Sequence, residues 1–401
     1  MSARNCIRIL GIVFLLSGTG VSSEAQVGSV VKWPFEQVGA GVNKALLFVE
    51  KRPFFRSVTA RDKDPGSGPK EGFAPLVGGL GDGSGLTGGL QYTTSFAAGW
   101  RATVSGRLST HAYQRYVFSL NKEFGRVRTG PELMWESRPE EDFYGEGSDS
   151  DASARSTYGV SGPRAAWVTA AKLGPVELRH SLRWDRYDLF AGRDNRFPTT
   201  QETFTPTEVS GGYSNSQFVT NQLAAVLDYR DDPKDPRAGT MVTGAVEVRN
   251  GIRQTAANFT TLRLAHYLYV PLSERKAHLF AFRTEAVHNI SDDAIPFYLE
   301  PTLGGSNSLR GFREYRFRDN DALIATAEYR YRIWRYMDAA IFGDAGQVYP
   351  NVFKDAAHTK MQTDYGGGLR VSTPIGLQMR LNIGHGSEGT RFWFRLGAFT
   401  W

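Results

Sequence analysis

Residues able to do covalent or metal chemistry are sparse in this chain of 401 residues, and their spacing does not assemble them. The seven histidines (His111, His180, His266, His278, His288, His358 and His385) form no pair at helical spacing, the arrangement that lets two imidazoles share one metal ion. No Gly-x-Ser-x-Gly elbow occurs, so a fused lipase of patatin type is excluded. Ser387 lies near His385, but a pair this generic supports no hydrolase. Gly83-x-Gly85-x-x-Gly88 fits the letters of a dinucleotide-binding turn. Alternating strand residues follow it, where pyrophosphate binding needs the start of a helix. Glu140, Glu141, Asp142, Glu146, Asp149 and Asp151 offer oxygen ligands without the loop pattern of a calcium site, and they read as a solvated loop. No catalytic residue, metal ligand or cofactor is therefore expected, and the chain reads as a non-enzyme.

The remaining chemistry is that of charge and backbone, so the elements come next. The chain is 41% hydrophobic, 22% charged and 12% aromatic, with 44 glycines. High aromatic and glycine content together argue for strands and tight turns. The apolar run Ile9 to Leu16 is too short to cross a bilayer as a helix. Residues 1–25 read instead as an export signal: Arg4 and Arg8, then the apolar run, then Ser23-Glu24-Ala25 as a cleavage site. The single cysteine, Cys6, lies in that segment, so a mature chain starting at Gln26 has no thiol for a disulfide, a metal or a nucleophile. Removing Arg4, Arg8 and Glu24 lowers the net charge from +6 to +5. A mild excess on an exported chain suits an anionic lipid surface and argues against nucleic acid as a partner.

From about Gly72 onward apolar and polar residues alternate. Val176, Leu178, Leu182 and Trp184 share one parity, against Glu177, Arg179, Arg183 and Asp185 on the other. Leu377 to Ile383 repeats the pattern, and so does Leu323 to Ile333, where Thr326, Glu328, Arg330 and Arg332 share a face. Strands of about ten residues, apolar on one side and charged on the other, fit a transmembrane β-barrel with a wet lumen. Tyr187, Phe190, Tyr229, Tyr269, Trp334, Tyr336 and Tyr349, near strand ends, are expected to form interfacial girdles. Short turns are expected near 97–99, 124–126, 172–175, 230–239, 271–276, 334–338 and 373–376. Longer connections are expected near 138–155, 191–216, 249–258, 291–320, 348–364 and 385–391, with a short exception at 109–112. Short turns at one end and long loops at the other are the outer-membrane pattern. Fifteen strands start from about Gly85, and a weaker one at Gly72 to Leu80 makes sixteen. The expected fold is all-β: a sixteen-stranded antiparallel transmembrane barrel over 72–401.

Residues 26–71 differ. Pro34 suits a helix start, and Phe35, Val38, Val42, Ala45, Leu46 and Val49 share one helical face, giving a short N-terminal amphipathic helix over about 35–50. Such a helix could plug the lumen, lie on the inner leaflet or contact a partner.

Two motifs then become recognisable. Gly304-Gly305-Ser306-Asn307-Ser308-Leu309-Arg310-Gly311-Phe312 resembles the Gly-Gly…Val-Arg-Gly-Phe motif of the bacterial surface-antigen family, the barrels of BamA and TamA type, with Leu309 in place of valine. Phe342-Gly343-Asp344-Ala345-Gly346 is similar to that family's Phe-x-Asp-x-Gly. The stretch Asp228-x-Arg230-Asp231…Pro236…Gly239 resembles its recurrent turn, and Phe143-Tyr144-Gly145-x-Gly147 is similar to TamA-like barrels. The resemblance covers 220–401 firmly and 72–220 loosely.

The resemblance implies that the 291–320 loop folds inward as a latch: Arg310 meets Asp344 and Glu328 on the inner wall, Gly311 permits close approach, and Phe312 wedges against the wall. Arginine's planar fork suits carboxylates. A terminal aromatic, here Phe399 and Trp401 after a parity switch at Gly397, resembles the tail that the barrel-assembly machinery reads. The resemblance also implies location in the bacterial outer membrane, among lipid and lipopolysaccharide, and insertion or translocation of proteins or lipids through a lateral seam. The expected partners are unfolded β-barrel clients or a periplasmic protein. The alternative is a passive pore or structural barrel that shares the fold without the activity. BamA and TamA carry polypeptide-transport-associated domains before the barrel. Residues 26–71 are shorter than one such domain, which resembles a short member of the family.

Overall fold

The computed structural model describes residues 71–78, 80–253, 257–355, 361–372 and 378–397. The expected signal peptide, the helix at 35–50, Phe399 and Trp401 lie outside the described residues. Among the described residues eighteen strands occur in this order: β1 Gly72–Val77, β2 Thr87–Phe96, β3 Trp100–Ser109, β4 Gln114–Phe124, β5 Val127–Phe143 and β6 Ser156–Leu173. Next come β7 Val176–Ala191, β8 Ser216–Asp228, β9 Gly239–Gly251, β10 Asn258–Pro271, β11 His278–Ile290, β12 Thr302–Leu303 and β13 Phe317–Arg318. The last five are β14 Asp321–Trp334, β15 Met337–Tyr349, β16 Gln362–Ser372, β17 Gln378–Gly386 and β18 Gly389–Gly397.

Sixteen of them form one antiparallel sheet, each beside its neighbour in sequence, in the order β1 to β11 and then β14 to β18. The sheet curls into a nearly closed barrel. The other two, β12 and β13, pair within the long loop before β14. Strand parity sorts the side chains. Leu223, Leu264, Ile341, Tyr365, Phe392 and Phe394 stand exposed on the outer surface, as a lipid-facing wall requires. Arg183, Asp185, Glu247, Arg249, Glu328 and Arg330 are buried inside.

The girdle expectation is corrected at three positions. Tyr269 and Tyr349 are buried within the barrel, and Tyr187 packs against Tyr298 and Phe218, because their parity faces inward. Tyr229 is exposed, as a girdle residue would be.

Strands β5 to β7 run 16 to 18 residues, beyond the ten that a bilayer needs. Their extra length carries polar pairs, such as Tyr158 donating to Glu141 at 2.6 Å. The expected 138–155 connection therefore shrinks to 144–155. Likewise, the expected longer link at 385–391 is a tight hairpin in which Gly386 faces Gly389.

At the long-loop end, three loops pack over the barrel mouth. Phe143, Tyr158, Val209, Phe297 and Tyr298 form one buried aromatic cluster there. Arg318 sits among the rings of Phe143, Tyr158 and Phe297 and donates to the Phe297 carbonyl at 2.6 Å.

At the short-turn end, Arg230 grips Asp228 through Nε at 2.9 Å and Nη2 at 2.8 Å. Asp231 accepts from the backbone of Arg237 and Ala238, and Gly239 (φ +102°) packs where a side chain would strike the Tyr229 carbonyl. Arg237 then donates to Asp338 at 2.6 Å and to the Lys276 carbonyl at 2.6 Å. Three neighbouring turns are thus joined by one side chain.

Candidate functional site

Residues 304–316 leave the wall and enter the lumen. Gly304 and Gly305 take φ +115° and +84°, the left-handed region that suits glycine, and so start the inward turn. Leu309 and Phe312 are fully buried with Leu303, Phe317, Ala322, Ile324 and Val348, a small apolar core that anchors the loop. Its burial supplies the main driving force for holding polar backbone inside the barrel.

That anchoring places Arg310 against the wall. Its Nε donates to Asp344 Oδ2 at 2.7 Å, its Nη2 to Asp344 Oδ1 at 2.8 Å, and its Nη1 to Glu328 Oε2 at 2.8 Å. The guanidinium also lies 3.3 Å from the centre of the Phe342 ring, a cation–π contact. Arg310 is 4% exposed and Glu328 wholly buried. Thr326 donates to Asp344 at 2.8 Å, and Trp393 on β18 donates to the Arg310 carbonyl at 2.7 Å. The loop tip therefore ties β14 and β15 to the last strand.

Glycines make the room. A Cβ on Gly311 would stand 2.6 Å from the Asp364 Cβ and from the Gly386 nitrogen. A Cβ on Gly384 would strike the Arg310 carbonyl, and one on Gly346 would stand 3.1 Å from Leu303 Cδ1. Phe312 packs on Gly386, where a Cβ would stand 2.9 Å from the ring.

The structure thus brings together Leu309, Arg310, Gly311, Phe312, Glu328, Phe342, Asp344 and Gly346. Asp228, Arg230, Asp231, Pro236 and Gly239 form the separate turn at the other end. Sequence reasoning missed Arg330 and Arg370, which both donate to Glu328 at 2.6 Å. It also missed Trp393 and Asp364, the residue directly across from Asp344. Their signal was ordinary lumen-face parity, which many positions share. The acidic stretch at 140–151 does not converge: Glu141 pairs with Arg138 and Asp142 with Arg155. Among the described residues no group of three acidic, histidine or cysteine side chains is placed to hold a metal. His385 bonds Thr390 at 2.8 Å.

An inward-folded Leu-Arg-Gly-Phe loop on a sixteen-stranded barrel narrows the family. The Omp85 superfamily domain matches residues 85–399. The chain belongs to the Omp85 superfamily. It is accordingly a barrel of the bacterial outer membrane, in a superfamily of protein insertion and translocation barrels. Among solved structures, this Omp85 barrel is similar to BamA from Haemophilus ducreyi lacking POTRA domains 1–3. The identity is 15% and the TM-score 0.59, covering 82% of this chain and 69% of that one. It is also similar to CdiB from Acinetobacter baumannii (12% identity, TM-score 0.51, 81% of this chain and 58% of that one). CdiB from Escherichia coli gives 11% identity and a TM-score of 0.52, over 82% and 63% of the two chains. The chain thus spans about three-fifths of the length of either CdiB. At these identities the likeness is one of fold. No curated protein matches the sequence.

Proposed function

We propose that this Omp85 barrel assists insertion or translocation of proteins at the outer membrane through the seam between β1 and β18, acting without catalysis. The observation that carries the reading is the asymmetry of that seam. Among the described residues no backbone ladder joins β1 to β18, whereas every other neighbouring pair in the sheet is laddered. β1 has six residues, including Pro75, which donates no hydrogen bond. What holds the edges near each other is sparse: Gly78 lies against the Leu396 carbonyl, and Arg395 stands 3.8 Å from Asp82. An unladdered strand edge is a template for another strand, so a client segment can add by β-augmentation. The latch then has a mechanical role: with Arg310 tied to β14, β15 and Trp393, the C-terminal wall stays rigid while the β1 side yields. Unfolded barrel clients, or a periplasmic partner that delivers them, are the proposed partners, in contact with outer-membrane lipid and lipopolysaccharide.

The test is the folding rate of a small client barrel into liposomes containing the purified protein, against empty liposomes. The reading expects acceleration, and expects it to vanish when Val77→Cys and Leu396→Cys are oxidised to lock the seam. Steady conductance without acceleration would replace it with a passive pore.

A further inference from the structure

One patch of the outer wall belongs neither to the latch nor to the seam. On β7 the outward side chains are Val176, Leu178, His180, Leu182 and Trp184, while Ser181, Arg183 and Asp185 are buried on the lumen side. A short turn precedes Val176, and the outward ion pair of Arg186 and Asp188 follows Trp184. His180 is thus third of five outward positions, at the middle of the lipid-facing belt. On β8, Val219, Asn221 and Leu223 face outward against the buried Phe218 and Thr220, and Leu223 lies directly across from His180.

His180 Nε2 lies 3.2 Å from Asn221 Oδ1, so the ring donates there. Its Nδ1 is then a bare acceptor, and Asn221 keeps both amide N–H groups. Among the described residues neither side chain makes a further hydrogen bond. Both residues are exposed, and at this depth exposure means hydrocarbon, which offers no donor and no acceptor. The outward polar groups on β5 and β6 are spent on one another: Thr129 and Thr169 bond at 2.7 Å, and Trp167 donates to Thr129 at 2.9 Å. On β10, His266 also faces outward, but its partner Thr240 spends its hydroxyl proton on the Tyr267 carbonyl, so that pair offers no free donor.

We propose that the His180–Asn221 patch docks a second copy of this chain in the outer membrane. A two-fold contact needs a surface complementary to itself. A bare acceptor beside free donors meets that need: an Asn221 amide of each copy donates to the His180 ring of the other, and the exposed Leu182 and Leu223 pack around the two bonds. Lipid tails can satisfy neither group. β7 and β8 are the seventh and eighth of the sixteen strands, so the patch lies across the barrel from the seam, and a second copy there leaves the seam clear. The docking stands independently of the proposed assembly activity.

The experiment measures the number of chains per particle. Light scattering, corrected for detergent, is applied to the purified protein in mild maltoside, and energy transfer between donor-labelled and acceptor-labelled chains is followed in phosphatidylethanolamine–phosphatidylglycerol vesicles. The expected result is two chains per particle and transfer that falls on dilution with lipid. His180→Leu with Asn221→Leu is expected to give single chains that still show the heat-modified migration of a folded barrel. One chain per particle in both settings overturns the proposal and leaves the patch to a different protein. A dimer undiminished in the double variant places the contact elsewhere and overturns it equally. Should the double variant not fold, Asn221→Leu alone removes the free donors of both symmetric bonds and is expected to weaken dimerisation about tenfold. Asn221→Gln, which keeps an amide, should recover part of that loss, and an affinity unchanged in Asn221→Leu overturns the docking.

Discussion

Arg310 and Asp344 meet fork to fork inside the barrel, through two nearly parallel bonds of 2.7 and 2.8 Å. Both side chains are buried, so neither is solvated when the other is lost. Breaking one member of such a pair costs about 3–5 kcal/mol. Arg310→Glu would set a third carboxylate against Asp344 and Glu328, and is expected to destabilise the barrel by at least that much. Asp344→Arg in the same chain would restore part of the loss. Heat-modified migration of the folded barrel on gels reads both, and equal behaviour of wild type and Arg310→Glu would remove the latch from the account. Arg310→Lys is expected to fall between, because an ammonium cannot bridge both carboxylates with parallel bonds.

Much of this was legible in the sequence because strand parity is local. Glu328 faces the lumen simply because Leu323 to Ile333 alternates, and sixteen strands follow from counting turns. Partner choice was not legible. Arg330 shares β14 with Glu328, but whether Glu328 also binds Arg310 or Arg370 depends on how a loop and a strand distant in sequence are placed, and the answer is all three. Connection lengths also misled where polarity imitates a loop. Ser387-Glu388-Gly389-Thr390 reads as an open connection, yet Thr390 is a strand residue paired with His385, and Gly389 (φ +105°) closes the hairpin. The aromatic girdle failed at Tyr269 and Tyr349 for a related reason. A strand end can be near the interface while its parity points inward.

A Cβ placed on Gly311 would stand 2.6 Å from Asp364 Cβ and Gly386 N and 2.8 Å from His385 C, atoms of two strands. Backbone on a laddered strand cannot step aside as a flexible side-chain end can. Gly311→Ala is therefore expected to push the loop tip off the wall while the strands stay paired. Limited trypsin digestion should then cut after Arg310 or Arg313 in the variant and spare the wild type. Equal resistance of the two would show that the loop tolerates the extra methyl.

Arg237 joins three turns through Asp338 and the Lys276 carbonyl. Arg237→Ala leaves Asp338 with Arg332 as its remaining partner, at 2.6 Å. The loss is expected to be about 1–3 kcal/mol, that of a charged hydrogen bond rather than of a stranded buried charge. Urea unfolding in lipid vesicles measures it. A loss above that range would mean that Arg332 fails to compensate.

Two carboxyls of the inward loop should make its docking depend on pH. Burial, reinforced by the nearby Asp82 carboxylate, pushes Glu314 up to about 7, and burial pushes Asp319 up to about 6. Their ordinary values are 4.5 and 3.8. Both groups are thus more readily protonated when the loop is docked than when it is free. By linkage, the stability they support is fully present below about pH 4 and is lost as pH rises to about 7, because ionisation then favours the undocked loop. Hydrogen exchange across 313–320, corrected for the intrinsic effect of pH, should therefore be faster at pH 8 than at pH 5. Glu314→Gln, which is neutral at every pH, should flatten much of that dependence and leave the smaller contribution of Asp319. Loop protection is therefore expected to fall as pH rises from 5 to 8. A profile that rises steadily from pH 5 to pH 8 would contradict the burial of Glu314 and Asp319 as protonated acids.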